Sequence, residues 1–563
     1  MQSHYKPELR SLLEAALVVM ALLPACACGG GATVHAQGVT SRASAFTVLG
    51  VDESLVSAVV NVDQSNPSAS DNNPGTPGRP FRTISAALKH ADNLVREGIG
   101  TKVEVQPGVY REALTLPPAD PGIVAPLVIE GTGMPIVSGA DVWTGWQRQG
   151  SSGAWVHAWP YQWGNAPYPP GWEGNVALAP IVTRREMVIV SGSPLTEVLL
   201  PQNLYPGAFA VSESSQTITV MVDPAADLNA STVEVAVRTP LLQIKGRTNI
   251  VVRGITFQHA NSPLPNGAAT VVDSSRVLVQ NCRFVWNNWD GLDVSTSQDV
   301  AIRDVHANNN GGSGMGGYQI LRLLVDSSET SSNNWRGAMG GFTGWDVAGS
   351  KFELVHHGLF RSYSSLNNQA RGLWLDTDDV NVAIESSRFE NNLRDGIFLE
   401  ANQGPLLVTR SRTCGSSSGA GVAGSVSANV LLTRNVICGN SQGQLLITGD
   451  TDRNVTNWET GEVIDVRTEN WTVCGNGMQA ANSNQASLNT PDWSWFLDSL
   501  ASDWNMWAMP KGERGFVVGS QNLSFSGWRN NTGEDRHSIS TLAGVAFANV
   551  LPERMPHDCA ALR

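Results

Sequence analysis

Glycines that follow Asn-rich turns recur at Gly291, Gly314, Gly337, Gly372, Gly396, Gly421 and Gly443, in steps of 23, 23, 35, 24, 25 and 22 residues. Asn pairs keep step with them at 287/288, 309/310, 333/334, 367/368 and 391/392. Between the turns lie short alternating runs such as Val380-x-Val382-x-Ile384, which read as strands with one buried face. A period of this length, too short for a propeller blade of about 40 residues and lacking a leucine-rich pattern, implies stacked coils of a parallel β-helix. The high glycine count of 56 and the low charged fraction of 15% fit an all-β chain rich in turns. Gly291, Gly314, Gly337, Gly372, Gly396 and Gly421 are expected in one column, and the Asn amides are expected to bond along the axis.

A solenoid must cover its open ends. The stretch "RPFRTISAALKHADNLV" predicts an amphipathic helix over 84–95, capped by Thr83, at the N-terminal end. The helical pattern of 492–504 is expected to pack against the late coils. The period breaks between 141 and 240, where six tryptophans (143, 146, 155, 159, 163, 172) precede three strand-like runs. This predicts an inserted small β subdomain, with the tryptophans as its core in preference to a sugar platform. The division expected is a leader and linker at 1–36, first coils and cap at 58–140, the insert at 141–240, central coils at 241–455, and last coils and cap at 456–563.

Lys6 and Arg10 precede an apolar run from Leu12 to Leu23 that is too short for an ordinary membrane span and reads as an export signal. Two processing readings stand side by side: lipidation at Cys26 within Leu23-Pro24-Ala25-Cys26, or cleavage after Val34-His35-Ala36. Either places the chain outside the cytoplasm, and any membrane attachment runs through the lipid alone. A net charge of −13 with no basic run argues against a nucleic-acid partner. Cys414 and Cys438 are one coil apart and are disulfide candidates. No cysteine or histidine spacing calls for a metal, and no motif calls for a cofactor.

The pentapeptides Gly372–Asp376 ("GLWLD") and Gly396–Glu400 ("GIFLE") align at an offset of 24 residues. Leu373, Leu375, Ile397 and Leu399 should point inward, and Trp374, Asp376, Phe398 and Glu400 outward. One coil of offset puts Asp376 beside Glu400 at about 4.8 Å between strands. That is close to the roughly 5–5.5 Å carboxyl separation of retaining glycosidases. Their repulsion, about 3 kcal/mol at an effective dielectric near 20, should keep one of the pair protonated. The Trp374–Phe398 column would offer an exposed aromatic face to a sugar. The irregular step of 35 residues predicts that "GFTGWDVAGSKFELVHH" bulges out beside the pair. It would bring Trp345, Lys351 and one of His356 and His357 over it. Asp378 is expected to shape the turn or touch substrate, and Arg371 with Asp395 to form a ladder ion pair.

Together "NPGTPGRPFRTISAALKHA", "VQPGVYRE", "RREMVIVSG", "GLWLDTDD", "GIFLEANQGP" and "FSGWRNNTGEDRHS" resemble bacterial extracytoplasmic right-handed parallel β-helix proteins, from about residue 58 onward. Within that group the chain looks most like β-helix glycoside hydrolases of the β-xylosidase type, which carry an inserted β-sandwich. The resemblance implies a carbohydrate substrate, an Asp nucleophile at Asp376 and a Glu acid/base at Glu400. Pectate-lyase-like enzymes share the fold. Their pattern is echoed in Trp374-Leu375-Asp376, but Thr377 stands where they carry His, and there is no arginine base followed by proline. In that reading Lys351 would neutralise a uronate. A non-catalytic polysaccharide-binding protein is the third class. A carboxylate pair in a cleft favours hydrolysis, a basic cleft favours a lyase, and no cleft favours binding alone.

Overall fold

The computed structural model describes residues 47–120, 122–449, 453–480, 486–509 and 514–542. Cys26 and the leader lie outside them. Among the described residues a sheet of 23 strands and another of 13 run along the axis, built almost wholly of parallel pairs from successive coils. The chain is all-β, a parallel β-helix. Leu373, Leu375, Ile397 and Leu399 lie inside, at most 1% exposed, in one apolar core that runs the length of the solenoid. Each fully buried aliphatic side chain contributes about 1.5–3 kcal/mol.

The corners carry the polar order. Asn287 donates its amide to Asn310 (3.0 Å), Asn310 to Asn333 (3.2 Å), Asn333 to Asn368 (3.0 Å) and Asn368 to Asn392 (2.9 Å). Each acceptor oxygen also takes the preceding Asn's backbone N–H, as when Asn333 N donates to Asn368 Oδ1 at 3.0 Å. One member of each Asn pair thus saturates a buried corner, and the other faces outward.

Four residues after each ladder Asn comes the glycine column, with one correction. Gly337 is not in it. Gly337 belongs to a short helix, Trp335–Met339, and the column runs through Gly349 instead. A Cβ on Gly349 would lie 2.6 Å from the carbonyl oxygen of Gly372, and one on Gly372 2.4 Å from that of Gly396, so only glycine lets these coils approach. The dozen surplus residues therefore lie between Asn334 and Val347. The segment from Ala348 to Arg361, expected in the bulge, is a regular strand paired on both sides.

The helix Ile84–Arg96, capped by the Thr83 hydroxyl accepting from Ala86 N, buries Ile84, Ala87, Leu88, Ala91 and Val95 against the first coils. At the other end the helical pattern of 492–504 forms a helix only over Ser494–Ser499, and a second helix, Phe525–Thr532, buries Trp528 in the same core. Between Ala140 and Ala236 a four-stranded and a five-stranded sheet pack around Trp146, Trp155, Trp159, Phe209, Ile218 and Val220. Cys414 and Cys438 face each other on adjacent strands and form a disulfide, Cα atoms 4.6 Å apart.

The ladder makes a contrast available within one Asn pair. Asn368→Ala removes a buried donor and acceptor and should cost about 2 kcal/mol. Asn367→Gly, at an exposed corner with φ +56°, should cost less than about 0.5 kcal/mol. Denaturant midpoints of the two variants check this; equal midpoints would contradict the ladder.

Candidate active site

Strand register creates the site. Glu353, Asp376 and Glu400 occupy the same position on three neighbouring parallel strands, as do Lys351, Trp374 and Phe398 two residues before them. Each acid is the last residue before a corner made by a left-handed residue: Leu354 (φ +58°), Thr377 (+58°) and Ala401 (+54°). Thr377 is β-branched and Asp378 follows in the same conformation, so backbone strain is concentrated immediately after Asp376. Thr377 also donates its hydroxyl to Asp376 Oδ1 at 3.0 Å.

Glu353 was not read as part of the ladder. The signal was present: "SKFE" precedes "LWLD" by 23 residues, but the insertion had been placed across it. Lys351 lies in the strand rather than in a loop, yet it does reach the acids. Its Nζ is 3.1 Å from Asp376 Oδ2 and 3.0 Å from Asp346 Oδ1, and it also contacts Glu353. Burial opposes its charge, but Glu353, then Asp346 and Asp376, outweigh burial and hold its pKa well above the ordinary lysine value.

Burial, then the charge of Asp376 beside it, pushes the Glu400 carboxyl above its ordinary range; Arg453, 3.3 Å away, pulls the other way. Enclosure also raises Glu353, against Lys351. Beyond Lys351, Asp290 and Asp293 are raised by burial and lie within electrostatic reach of Asp346. The region thus gathers six carboxylates (Asp290, Asp293, Asp346, Glu353, Asp376, Glu400) around three cations (Lys351, Arg371, Arg453).

Three expectations are corrected. Trp374 and Phe398 lie outside the coil interior, but they are not an open platform. They are only 7% and 8% exposed, beneath the Arg371 guanidinium (4.4 and 4.3 Å from the ring centres) and Lys351 Nζ (4.4 Å from Trp374). Arg371 is held there by Asp395 (3.2 Å). Asp378 is fully buried and not open to substrate; it bonds His356 Nε2 (3.1 Å), Trp458 N (3.0 Å) and Gln403. His357 lies past the bend at Leu354 and bonds Asn381, so His356 and not His357 faces the acids.

Two walls flank the column. Trp345 packs with Trp172, Trp289 and Phe342, where the insertion meets an arm of the β subdomain. Arg336 of the insertion is buried between Asn288 (2.9 Å), Glu197 (2.6 Å) and the Glu186 carbonyl (2.7 Å), locking subdomain to solenoid. The other wall is an antiparallel hairpin, Arg453–Thr456 with Val463–Val466, which sequence reasoning missed. Its signal was the jump of 41 residues between the ladder partners Asn435 and Asn476 where about 24 is usual.

A family model described as "Right handed beta helix region" matches residues 216–457. No curated protein matches the chain. Among solved structures, the complex of XylC with xylose is 14% identical, covers 82% of this chain and 86% of its own, and superposes with a TM-score of 0.60. The A-module of the Azotobacter vinelandii mannuronan C-5 epimerase AlgE6 is 12% identical over 86% of this chain and 99% of its own (TM-score 0.48). A structure titled "Glycoside hydrolase" is 11% identical over 70% and 95% (TM-score 0.44). The family match and the XylC superposition agree with the strand register: the chain is a right-handed parallel β-helix with a helical cap and an inserted β subdomain.

Proposed function

We propose that this chain is a carbohydrate-active enzyme, a retaining glycoside hydrolase with Asp376 as nucleophile and Glu400 as general acid/base. The observation that carries the reading is the in-register adjacency of the two acids on neighbouring strands, with Lys351 on one and an enclosed environment around the other. Lys351 favours the ionised form of Asp376. Burial and the Asp376 charge favour the protonated form of Glu400. One group attacks the anomeric carbon while the other donates a proton to the leaving oxygen, then takes one from water in the second step. The surplus of carboxylates over cations disfavours a uronate and so supports a neutral sugar over a lyase or epimerase substrate. Similarity to XylC, whose structure holds xylose, supports a pyranoside. We place the protein outside the cytoplasm, released by cleavage or anchored through Cys26; the mass of the mature chain separates these.

Glu353 flanks Asp376 on the other side at the same spacing, so the acid/base role is tested against it. Asp376→Ala should abolish turnover of aryl glycosides, with azide restoring it and giving the inverted glycosyl azide. Glu400→Gln should lose about 10²–10⁴-fold on poor leaving groups and far less on activated ones. Glu353→Gln should show no such dependence on the leaving group. If Glu353→Gln shows it and Glu400→Gln does not, the acid/base role moves to Glu353. Products with a 4,5-double bond would contradict hydrolysis altogether, and a full glycan panel bound but not turned over would leave binding alone.

In the active enzyme kcat/KM should fall as pH rises through the raised pKa of Glu400, because the acid form is then lost, and Glu400→Gln should remove that alkaline limb.

Lys351→Met strips three carboxylates of a shared cation. The expected loss is about 3 kcal/mol near neutral pH. It should shrink toward acid pH as the orphaned carboxylates, now raised above their unfolded values, take up protons. Unfolding curves at two pH values check this. A raised KM with unchanged stability would instead mark Lys351 as a substrate contact.

A further inference from the structure

The hairpin beside the acids is tied down at its tip, far from where it leaves the solenoid. It emerges between the strands Leu445–Thr448 and Glu469–Cys474 and packs Val455 and Val466 on Ala401, Val426 and Ala428. Its tip reaches the strand Ala348–Arg361, four strand steps away, or about 19 Å along the axis. There Trp458 donates its indole N–H to the Leu354 carbonyl (2.9 Å) and its backbone N–H to Asp378 (3.0 Å), and Glu459 meets His356. The base of the hairpin carries Arg453, 3.3 Å from Glu400.

His356 is 1% exposed, and both its ring nitrogens face carboxylates: Nδ1 to Glu459 at 2.5 Å and Nε2 to Asp378 at 3.1 Å. A neutral imidazole has one N–H and would turn a lone pair on one of these acids; only the imidazolium donates to both. We propose that the hairpin is a strap that presents Arg453 to Glu400, and that protonated His356 is the positioning residue that latches it. The consequence for catalysis rests on the reading of Glu400 as acid/base; the latch itself does not.

The surroundings favour the charged form. Burial opposes it, but the bonds to Asp378 and Glu459 outweigh burial and raise the pKa of His356 above the ordinary value. Buried Asp379 adjoins Asp378, with its own pKa raised by burial. On the neighbouring strand Leu321 pairs with His356, and Arg322 beside it is engaged by Asp299 (2.6 Å). A raised histidine pKa gives a latch that holds in full below the unfolded value of about 6.5 and weakens as pH rises through the folded value.

Hydrogen exchange of the full chain without substrate, followed on peptides from 453–466 between about pH 5 and pH 9 and corrected for intrinsic rates, tests the latch. The wild type should lose about tenfold or more of the hairpin's protection as pH rises, while peptides from the coil interior stay protected. His356→Ala should leave the hairpin unprotected at every pH. Glu459→Gln, whose amide pairs with a neutral imidazole, should weaken the pH step while keeping protection. Protection in His356→Ala equal to wild type, or an unchanged step in Glu459→Gln, would overturn the latch. In the active enzyme, release of Arg453 from Glu400 should move the alkaline limb of kcat/KM to higher pH in His356→Ala. An open hairpin with an unmoved limb would overturn the positioning role. If no glycoside is turned over, the exchange data still decide the latch.

Discussion

The structure depends on a buried amide handing its hydrogen bond to the same amide one coil on. Asn310, Asn333 and Asn392 are fully buried and Asn287 and Asn368 nearly so, and every one is satisfied only when its neighbour sits directly above or below. A slip of one residue would orphan a column of polar groups in a dry corner, at about 1–3 kcal/mol each. That penalty, more than strand propensity, fixes the register. Once register is fixed, any residue at a given coil position stands beside its counterpart in the next coil. The acids become neighbours through the same rule that aligns the asparagines.

Local pattern carried the period, the inward leucines, the capping helix, the Arg371–Asp395 pair and the facing cysteines, because each depends on spacing along one or two coils. It failed where two alternatives satisfied the same local pattern. Gly337 and Gly349 both follow the Asn333 corner, and glycine content cannot choose between them. The choice is made by the approach of Gly349 to the Gly372 carbonyl, a contact between coils. Moving the insertion a few residues upstream returns Lys351, Glu353 and His356 to a strand and brings a third acid into the ladder. Trp374 and Phe398 were correctly turned away from the core, but their covering by Arg371 and Lys351 comes from side chains on other strands and at other heights. The hairpin was hidden because attention went to the glycine steps, which stay regular to Gly443, while the lengthened interval appears only in the second Asn column.

The charges follow a division of labour. Cations inside the acid cluster are few and shared, so no carboxylate is fully neutralised and each feels the next. Lys351 spans three acids and Arg453 reaches one, which sets neighbouring carboxylates to different protonation states without any metal-like charge. The β subdomain adds no charge to this column; through Arg336 and the Trp172 cluster it supplies a dry wall.

Coils in a solenoid touch only their neighbours, so an axial load passes through each interface in series, and the weakest yields first. The strap breaks that rule. With its root near Glu469 and its tip on Leu354 and His356, it bridges four interfaces in parallel. The stretch of solenoid bearing Glu353, Asp376 and Glu400 is therefore the mechanically stiffest part of its length. Spacing between the acids is buffered against the stretching and twisting that an elastic rod transmits from its ends.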